Sequence, residues 1–556
     1  MRIENHFNNF IKAEGIWKDQ RLTYASLFFF GLLIYLPFIG NVHLFDWDEI
    51  NFAESAREMI LTGDYSQVQI NFKAFWEKPP LFIWLQALSF KIFGVNEWAA
   101  RFPNVLVGCF TLCVFYKIGK GSISRQFSLI WIFLYAGSIL PHFYFRSGII
   151  DPLFNLFIFL SVIPLAQFDV FRARPTIMKF FAGGIFCGLA VLTKGPVAIL
   201  VLGLTWLVVS ILTRSAKWWN WKILLAYFLG VFLIAGAWFA YEIFVHGFWF
   251  VEEFITYQIR LFRTEDAGHG GPWFYHPLVL LLGCFPLSIL ALPLLFAKVK
   301  KGSTNMEVWM QGLFWVHLIL FTIVKTKIVH YSSLCYLPMS FLAAKYLWQL
   351  FQEQKSVPKS INIAFLAIGS IWTLLFLLLP IVGMNVDGIM PYVQDKFARA
   401  NLGADVIWPW YTLLPGFILL GLMIYTLSKS RPKRILFLSG GMIVILQLVL
   451  SLFVGRIEAY SQNSLVEFYK ERASKKDYVH AAGFKSYGQY FYTNRQEDYD
   501  TKANFDSLLV SNTLDKDLYF VVRNYQLKDM KNINFATRLY EKNGFVFFKR
   551  PAVVNN

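Results

Sequence analysis

The chain has 556 residues, of which 56% are hydrophobic, 19% aromatic and only 16% charged. Soluble domains carry about 25% charged residues, so an ordinary water-soluble globule is excluded. The formal net charge of +17 comes from Lys and Arg gathered in short loops, where they orient a membrane protein, and no basic aromatic groove or known module points to nucleic acid.

Mean hydropathy is +0.47, and apolar runs of roughly 17–25 residues recur along most of the length, the pattern of helices crossing a hydrocarbon core. The sequence therefore predicts an all-α polytopic membrane domain over 1–455, followed by a small soluble α/β domain over 456–556. The first 22 residues are polar, and the first apolar run lacks a small-residue cleavage site, so that run is expected to stay as the first span. Spans are expected near 23–41, 101–118, 126–143, 150–168, 179–194, 196–213, 222–245, 274–297, 308–324, 332–350, 361–383, 408–428 and 435–455. The five cysteines, Cys109, Cys113, Cys187, Cys284 and Cys335, all fall in apolar runs without a CxxC spacing and read as small buried hydrophobes.

The basic loops at 117–125, 171–179, 213–222, 298–301, 352–359 and 428–434 test this count. If all are cytoplasmic, an even number of crossings separates each pair. The apolar stretch between Lys179 and Thr213 spans about 34 residues, roughly 50 Å as one helix. Two short crossings broken at Lys194-Gly195-Pro196 keep the next basic loop inside. The total is then about thirteen spans, with the N-terminus in the cytoplasm and the C-terminal domain outside. The first outside loop, 42–100, includes PPLFIWLQALSFKIFG (79–94), too short and mixed for a span. Trp84, Phe90, Phe93 and Lys91 suit a helix lying in the interface. In the tail, 517–522 and 545–550 read as strands and 464–474 as an amphipathic helix.

Most unusual polar residues map to the outer face: Asp46, Asp48 and Glu49; Glu77 and Lys78; Arg146 and Asp151; Lys194; Arg260, Arg263, Glu265, Asp266 and His269; Lys325, Lys327, His330 and Tyr331. Each alone is an ordinary loop charge, but their convergence from five loops suggests a site at the membrane surface. Cations such as Lys78 and Arg263 suit a lipid phosphate, and a carboxylate such as Asp48 suits proton removal from an attacking hydroxyl. Asp46-Trp47-Asp48 also matches the Asp-x-Asp of soluble nucleotide-sugar transferases, but no nucleotide-binding pattern accompanies it. A flippase of lipid-linked saccharide is the main rival, yet it favours internal repeats and midplane charges. A polysaccharide polymerase or ligase would differ in its acceptor, and a purely structural membrane protein leaves the one-sided cluster unexplained.

The strings DEINFAESAREM, FWEKPP, RSGIIDPLFNLF, LTKGP, HGGPWFYHP and KTKIVHYSSLCYLP, in this order over about residues 20–455, resemble the bacterial GT-C membrane glycosyltransferases of the ArnT-like and protein O-mannosyltransferase superfamily. The resemblance implies a GT-C fold in the bacterial inner membrane. It implies inverting transfer of a sugar from a polyprenyl-phosphate donor to a lipid A-type glycolipid, glycan or protein at the periplasmic face. It places Asp48 at the catalytic acidic position, beside Glu49, and Asp151 at a second important aspartate. Lys78, Arg263 and Tyr331 match positions at the lipid phosphate, with Arg260 and Lys194 as further candidates there. Glu77 and His269 match positions near a metal; no cofactor is required, with zinc the candidate ion. Two departures stand out. The acidic pair precedes Asn51-Phe52 where the family commonly has Arg-Tyr, and Gln258 stands where a histidine is expected.

Overall fold

The computed structural model describes residues 19–167, 177–216, 218–263, 270–299, 306–497, 505–530 and 532–553, with the backbone alone at 261–263. The basic segments 171–176 and 300–301, and Glu265, Asp266 and His269, lie outside the described residues.

Every apolar run expected to cross the membrane carries helix, although the first, 23–41, is helical only as far as Tyr35. Among the described residues, seven helices are long and apolar enough to cross, including Glu97–Ser122, Trp221–His246, Lys359–Met384 and Pro432–Ala459; Asp151–Ala166 and Val197–Thr213 are shorter apolar helices. The protein is thus a multi-span membrane protein. Large apolar side chains such as Phe29, Phe110, Phe228 and Phe244 point outward, as a lipid-facing surface requires. Inside, Phe115 stacks on Trp131 at 4.1 Å between ring centroids, and the Trp131 indole N–H donates to Ser340 Oγ at 2.7 Å, so the buried polar tip is satisfied.

Three runs differ from single straight spans. The 274–297 run divides into Tyr275–Gly283 and Leu287–Leu295 around Pro286. The 126–143 run divides into Arg125–Ala136 and Ile139–Tyr144. At its break, a Cβ on Gly137 would meet the Ser439 carbonyl oxygen, so only glycine lets the neighbouring helix backbone approach. The break at Lys194-Gly195-Pro196 is present: one helix ends at Lys194 and the next starts at Val197, with Gly195 at φ +103°, a conformation open to glycine.

The acidic stretch after the first span is helix, not loop: Asp48–Thr62. Ile50, Ala53, Ala56 and Met59 are buried in it, close to helical spacing. Asp48 and Glu49 occupy its first turn, where negative charge suits the helix dipole, and Gly63 at φ 73° ends it. A short antiparallel hairpin, β1 (Gln69–Ile70) and β2 (Lys73–Ala74), follows. The expected interfacial helix runs Leu81–Phe93. Phe82, Ile83, Ala87 and Phe90 are buried, whereas Leu88, Ile92 and Phe93 face outward.

The tail forms a four-stranded sheet in the order β3 (Tyr478–Ala481), β4 (Leu518–Arg523), β6 (Phe545–Arg550), β5 (Thr537–Lys542). β3 runs parallel to β4, and the other pairs are antiparallel. The two strands expected from sequence are the central ones. The edge strand β5 is exposed at every residue, so it carries no apolar alternation to read. The amphipathic helix is Asn463–Lys470. One hydrophobic cluster joins Ile50, Ala53 and Met59 to Leu465, Phe468, Phe491, Val521 and Phe547. The tail therefore shares its core with the segment that follows the first span. Polar contacts lock the same seam: the Leu44 amide donates to the Tyr492 hydroxyl at 2.7 Å, and Arg57 Nη1 donates to Asn494 Oδ1 at 3.2 Å.

Candidate active site

A polar pocket forms where chain segments far apart in sequence meet beside the helix Asp48–Thr62. Its walls are Trp47, Asp48, Asn51 and Phe52; Glu77 and Lys78; Ile150 and Asp151; Lys194; Tyr257; and Ile328, His330 and Tyr331. Each key side chain sits at an element end, where backbone geometry fixes its direction. Asp48 opens its helix, with Trp47 at φ 99° as the residue before it, an unusual conformation for a bulky side chain. Asp151 opens the helix Asp151–Ala166, with Pro152 just inside the start. Lys194 closes the helix Ile177–Lys194. Gly195 then turns the chain, and a Cβ there would lie 2.7 Å from the Phe254 ring. His330 and Tyr331 lie in the tight turn Val329–Cys335, where the Tyr331 carbonyl is 2.8 Å from His317 Nε2.

Charge organises the pocket. Lys194 Nζ is 2.5 Å from Asp151 Oδ1. His330 Nε2 lies between the two aspartates, 3.2 Å from Asp48 Oδ2 and 3.9 Å from Asp151 Oδ2. Burial opposes charge on Asp48, but the His330 hydrogen bond and charge, then the fields of Lys78 and Lys194, outweigh it and hold the carboxyl below its usual range. Lys78 Nζ sits 5.5 Å from the centre of the Tyr257 ring and Lys194 Nζ 5.0 Å from that of Tyr331, distances of cation–π contact.

An apolar groove adjoins the pocket, lined by Val197, Leu200, Leu320, Phe321 and Val324 with Gln258. It shares Lys78, Lys194 and Tyr331 with the polar pocket. A ligand with an anionic head and an apolar tail therefore has a place for each part, with two cations where they join.

The sequence candidates divide. Asp48, Asp151, Lys78, Lys194, Tyr331 and Glu77 all line the pocket. Glu49 does not: its carboxylate is buried in an ion pair with Arg101 at 2.7 Å and accepts the amides of Phe45 and Gly148 at 2.9 and 2.5 Å. Although burial alone raises its pKa, Arg101 more than offsets that and keeps it low. Glu49 belongs to the frame behind the site. Arg260 is exposed one turn beyond Tyr257, with its guanidinium 5.0 Å from that ring. The backbone of Arg263 ends the same helix, Trp249–Arg263, while its side chain and His269 lie outside the described residues. Arg146 donates to the Tyr35 and Ile34 carbonyls, and Lys327 Nζ donates to the carbonyls of Thr322 and Val324 at 2.6 and 2.5 Å. Both serve helix ends rather than the pocket. Trp47 and Tyr257 are site residues absent from the sequence-based assignment, and His330, counted among the outer-face polar residues, was given no role there. For His330 the only signal was its place in KTKIVHY beside Tyr331.

The fold is that of the GT-C membrane glycosyltransferases. The chain matches the ArnT from Cupriavidus metallidurans bound to undecaprenyl phosphate with a TM-score of 0.69 at 16% identity, covering 96% of this chain and 99% of that one. The family model for dolichyl-phosphate-mannose-protein mannosyltransferase matches residues 77–239. The undecaprenyl phosphate-alpha-4-amino-4-deoxy-L-arabinose arabinosyl transferase 1 of Proteus mirabilis is 28% identical over 64% of this chain and 65% of its own length. The corresponding transferase of Shewanella sediminis is 27% identical over 70% of each. The chain is thus similar in fold, and over part of its sequence, to the ArnT-like GT-C glycosyltransferases.

Proposed function

We propose that this glycosyltransferase moves a sugar, with inversion, from a polyprenyl-phosphate donor to a hydroxyl or phosphate oxygen of a lipid or glycan acceptor at the outer face of the bacterial inner membrane. The observation that carries this reading is the shared wall of Lys78, Lys194 and Tyr331 between the polar pocket and the apolar groove. The prenyl chain lies in the groove, and its phosphate meets the two ammonium groups. The names of the Proteus mirabilis and Shewanella sediminis relatives, both transferases of an undecaprenyl-phosphate-linked sugar, support this donor class and do not favour a flippase.

The reaction needs little beyond positioning and charge stabilisation. Asp48 accepts the proton of the acceptor hydroxyl, or orients an acceptor oxygen that is already ionised. That oxygen forms a bond to the anomeric carbon as the bond to the phosphate oxygen breaks. The electron pair leaves with the polyprenyl phosphate, whose growing charge faces Lys78 and Lys194. Asp151 fixes Lys194, and His330 holds the two aspartates in register. Among the described residues no three His, Cys, Asp or Glu side chains gather as a metal centre requires. Of the two residues that the resemblance implies near a metal, Glu77 lines the pocket and His269 lies outside the described residues, and no step above is routed through a cation.

The charge of the loops supports a cytoplasmic N-terminus, with pocket and C-terminal sheet on the periplasmic side. Asp48→Asn tests the chemistry: sugar transfer by the purified protein in lipid nanodiscs falls by about 10²–10⁴-fold, the worth of a positioned base, while undecaprenyl phosphate still binds. Unchanged transfer would remove Asp48 from the mechanism.

A further inference from the structure

His330 Nε2 lies 3.2 Å from Asp48 Oδ2 and 3.9 Å from Asp151 Oδ2, so a small displacement of the ring decides which aspartate it serves. Something outside the pocket must hold it. The turn that carries it, Val329–Cys335, has about three residues per turn, so His330 and Ser333 stand on one side of it. The helix Asp151–Ala166 packs against this turn. On that helix Asp151 and Asn155 share a face, at the i, i+4 spacing. The two periods match: Asp151 meets the His330 ring, and one turn along Asn155 Nδ2 donates to Ser333 Oγ at 2.8 Å.

A third element closes the network. Tyr144, the last residue of the helix Ile139–Tyr144, donates its hydroxyl proton to Ser333 Oγ at 2.9 Å and accepts from Asn155 Nδ2. Ser333 Oγ then donates to the His330 carbonyl at 2.5 Å. The serine hydroxyl thus gives its one proton and accepts two, the full inventory of the group. Tyr144, Asn155 and Ser333 are all buried, and a buried hydroxyl satisfied in full selects one arrangement of its neighbours. The next carbonyl of the turn, that of Tyr331, is held by His317 Nε2 at 2.8 Å. None of Tyr144, Asn155 and Ser333 lines the polar pocket, so they reach the reaction only through the turn they fix.

We propose that Asn155, Ser333 and Tyr144 are positioning residues for the transfer reaction, which set the place of His330 between Asp48 and Asp151 and through it the direction of the Asp48 carboxylate. This rests on the roles given to Asp48 and His330 in the reaction above. It assigns work to the FNLF and HYSS portions of two strings, RSGIIDPLFNLF and KTKIVHYSSLCYLP, whose ionisable residues alone were given roles there.

The test uses the full chain in lipid nanodiscs and takes two readouts. The first needs no substrate. It follows the ring signals of isotope-labelled histidine by NMR, with that of His330 assigned by its loss in His330→Ala. In Ser333→Ala and Asn155→Leu the His330 signal should shift and its titration midpoint should move. Ser340→Ala, which removes a buried serine bonded to Trp131, should leave both in place. Tyr144→Phe removes a single donated proton, so it keeps the test readable if the other variants fail to fold. A His330 signal unchanged in folded Tyr144→Phe and Ser333→Ala overturns the proposal.

The second readout is transfer from undecaprenyl phosphate-linked 4-amino-4-deoxy-L-arabinose to a membrane lipid extract. Ser333→Ala should lower kcat about 10–100-fold, the effect of roughly an ångström of misplacement, with donor KM and undecaprenyl phosphate affinity within about twofold of wild type. In a His330→Ala background the same substitution should lower kcat no further. Equal losses in both backgrounds mean that the serine acts elsewhere, and they overturn the proposal. Unchanged transfer by His330→Ala would instead remove His330 from the reaction. Failure of the wild type to bind undecaprenyl phosphate would overturn the donor reading and leave the NMR readout to decide the placement of the ring.

Discussion

Asp48 and Glu49 are neighbours on one helix turn, yet they belong to different machines. Glu49 is sealed, with Arg101 and two backbone amides occupying its oxygens. Asp48 faces a cavity and shares its neighbour, the His330 imidazole, with Asp151. Farther along the same helix, Glu54 and Arg57 form a second sealed pair at 2.6 Å. Glu58 accepts the amides of Asn71 and Phe72 at 2.6 and 2.9 Å. Carboxylates whose every oxygen has a fixed partner serve the frame: Glu49 ties this helix to Arg101 and Gly148, Glu54 stays within the helix, and Glu58 holds the adjoining hairpin. A carboxylate left facing a cavity with cations nearby is available for chemistry.

The sealed side of this comparison breaks most heavily. Arg101→Leu strands Glu49 in the interior and should cost about 3–5 kcal/mol of stability, read as a large fall in thermal unfolding temperature. Transfer activity should vanish only through lost folded protein. If the variant is stable but inactive, Glu49 is part of the chemistry after all.

On the open side, Lys194→Met removes one of two phosphate cations and strands Asp151. Undecaprenyl phosphate should bind about 10–100-fold more weakly, the worth of a charged hydrogen bond. Binding within twofold of wild type would move the phosphate away from this wall. Gly195→Ala acts on the same lysine through the backbone. The φ of +103° and the 2.7 Å approach to Phe254 mean that the turn must shift, so donor affinity should fall by a smaller factor, measured in the same assay. An unchanged affinity would show that the turn does not set the position of Lys194.

The smallest effect concerns pH. Burial first, and then the charge of Glu54, push the Glu58 carboxyl up to about 9 from 4.5. The folded protein therefore holds a proton there that the unfolded chain releases. This stabilisation is full below about 4.5, declines as pH rises, and is gone above about 9. Glu58→Gln should flatten the decline in unfolding temperature between pH 5 and 9. A decline as steep as that of wild type would place its origin elsewhere.

Apolar run lengths alone located the spanning helices, because a hydrocarbon core admits only segments whose backbone is satisfied within themselves. The charge of the loops also fixed the break at Lys194-Gly195-Pro196. Local pattern carried β4 and β6, whose apolar faces are buried, but not β5, which is exposed throughout. It also left Asp48–Thr62 as loop, since its polar residues Glu49, Glu54, Arg57 and Glu58 are buried with the apolar ones and blur the amphipathic stripe.

In the site, sequence marked Asp48, Lys78, Asp151, Lys194 and Tyr331 by type and by placement at the outer ends of spans. It could not separate Asp48 from Glu49, nor Lys194 from Lys327, because adjacent or similar charges differ only in which partners the fold brings within reach. What the sequence determined was a chain that must cross the membrane many times with acid and base at one rim. The tertiary structure alone decided which charges neutralise one another and which face a cavity, since that depends on distances of a few ångströms between segments tens to hundreds of residues apart.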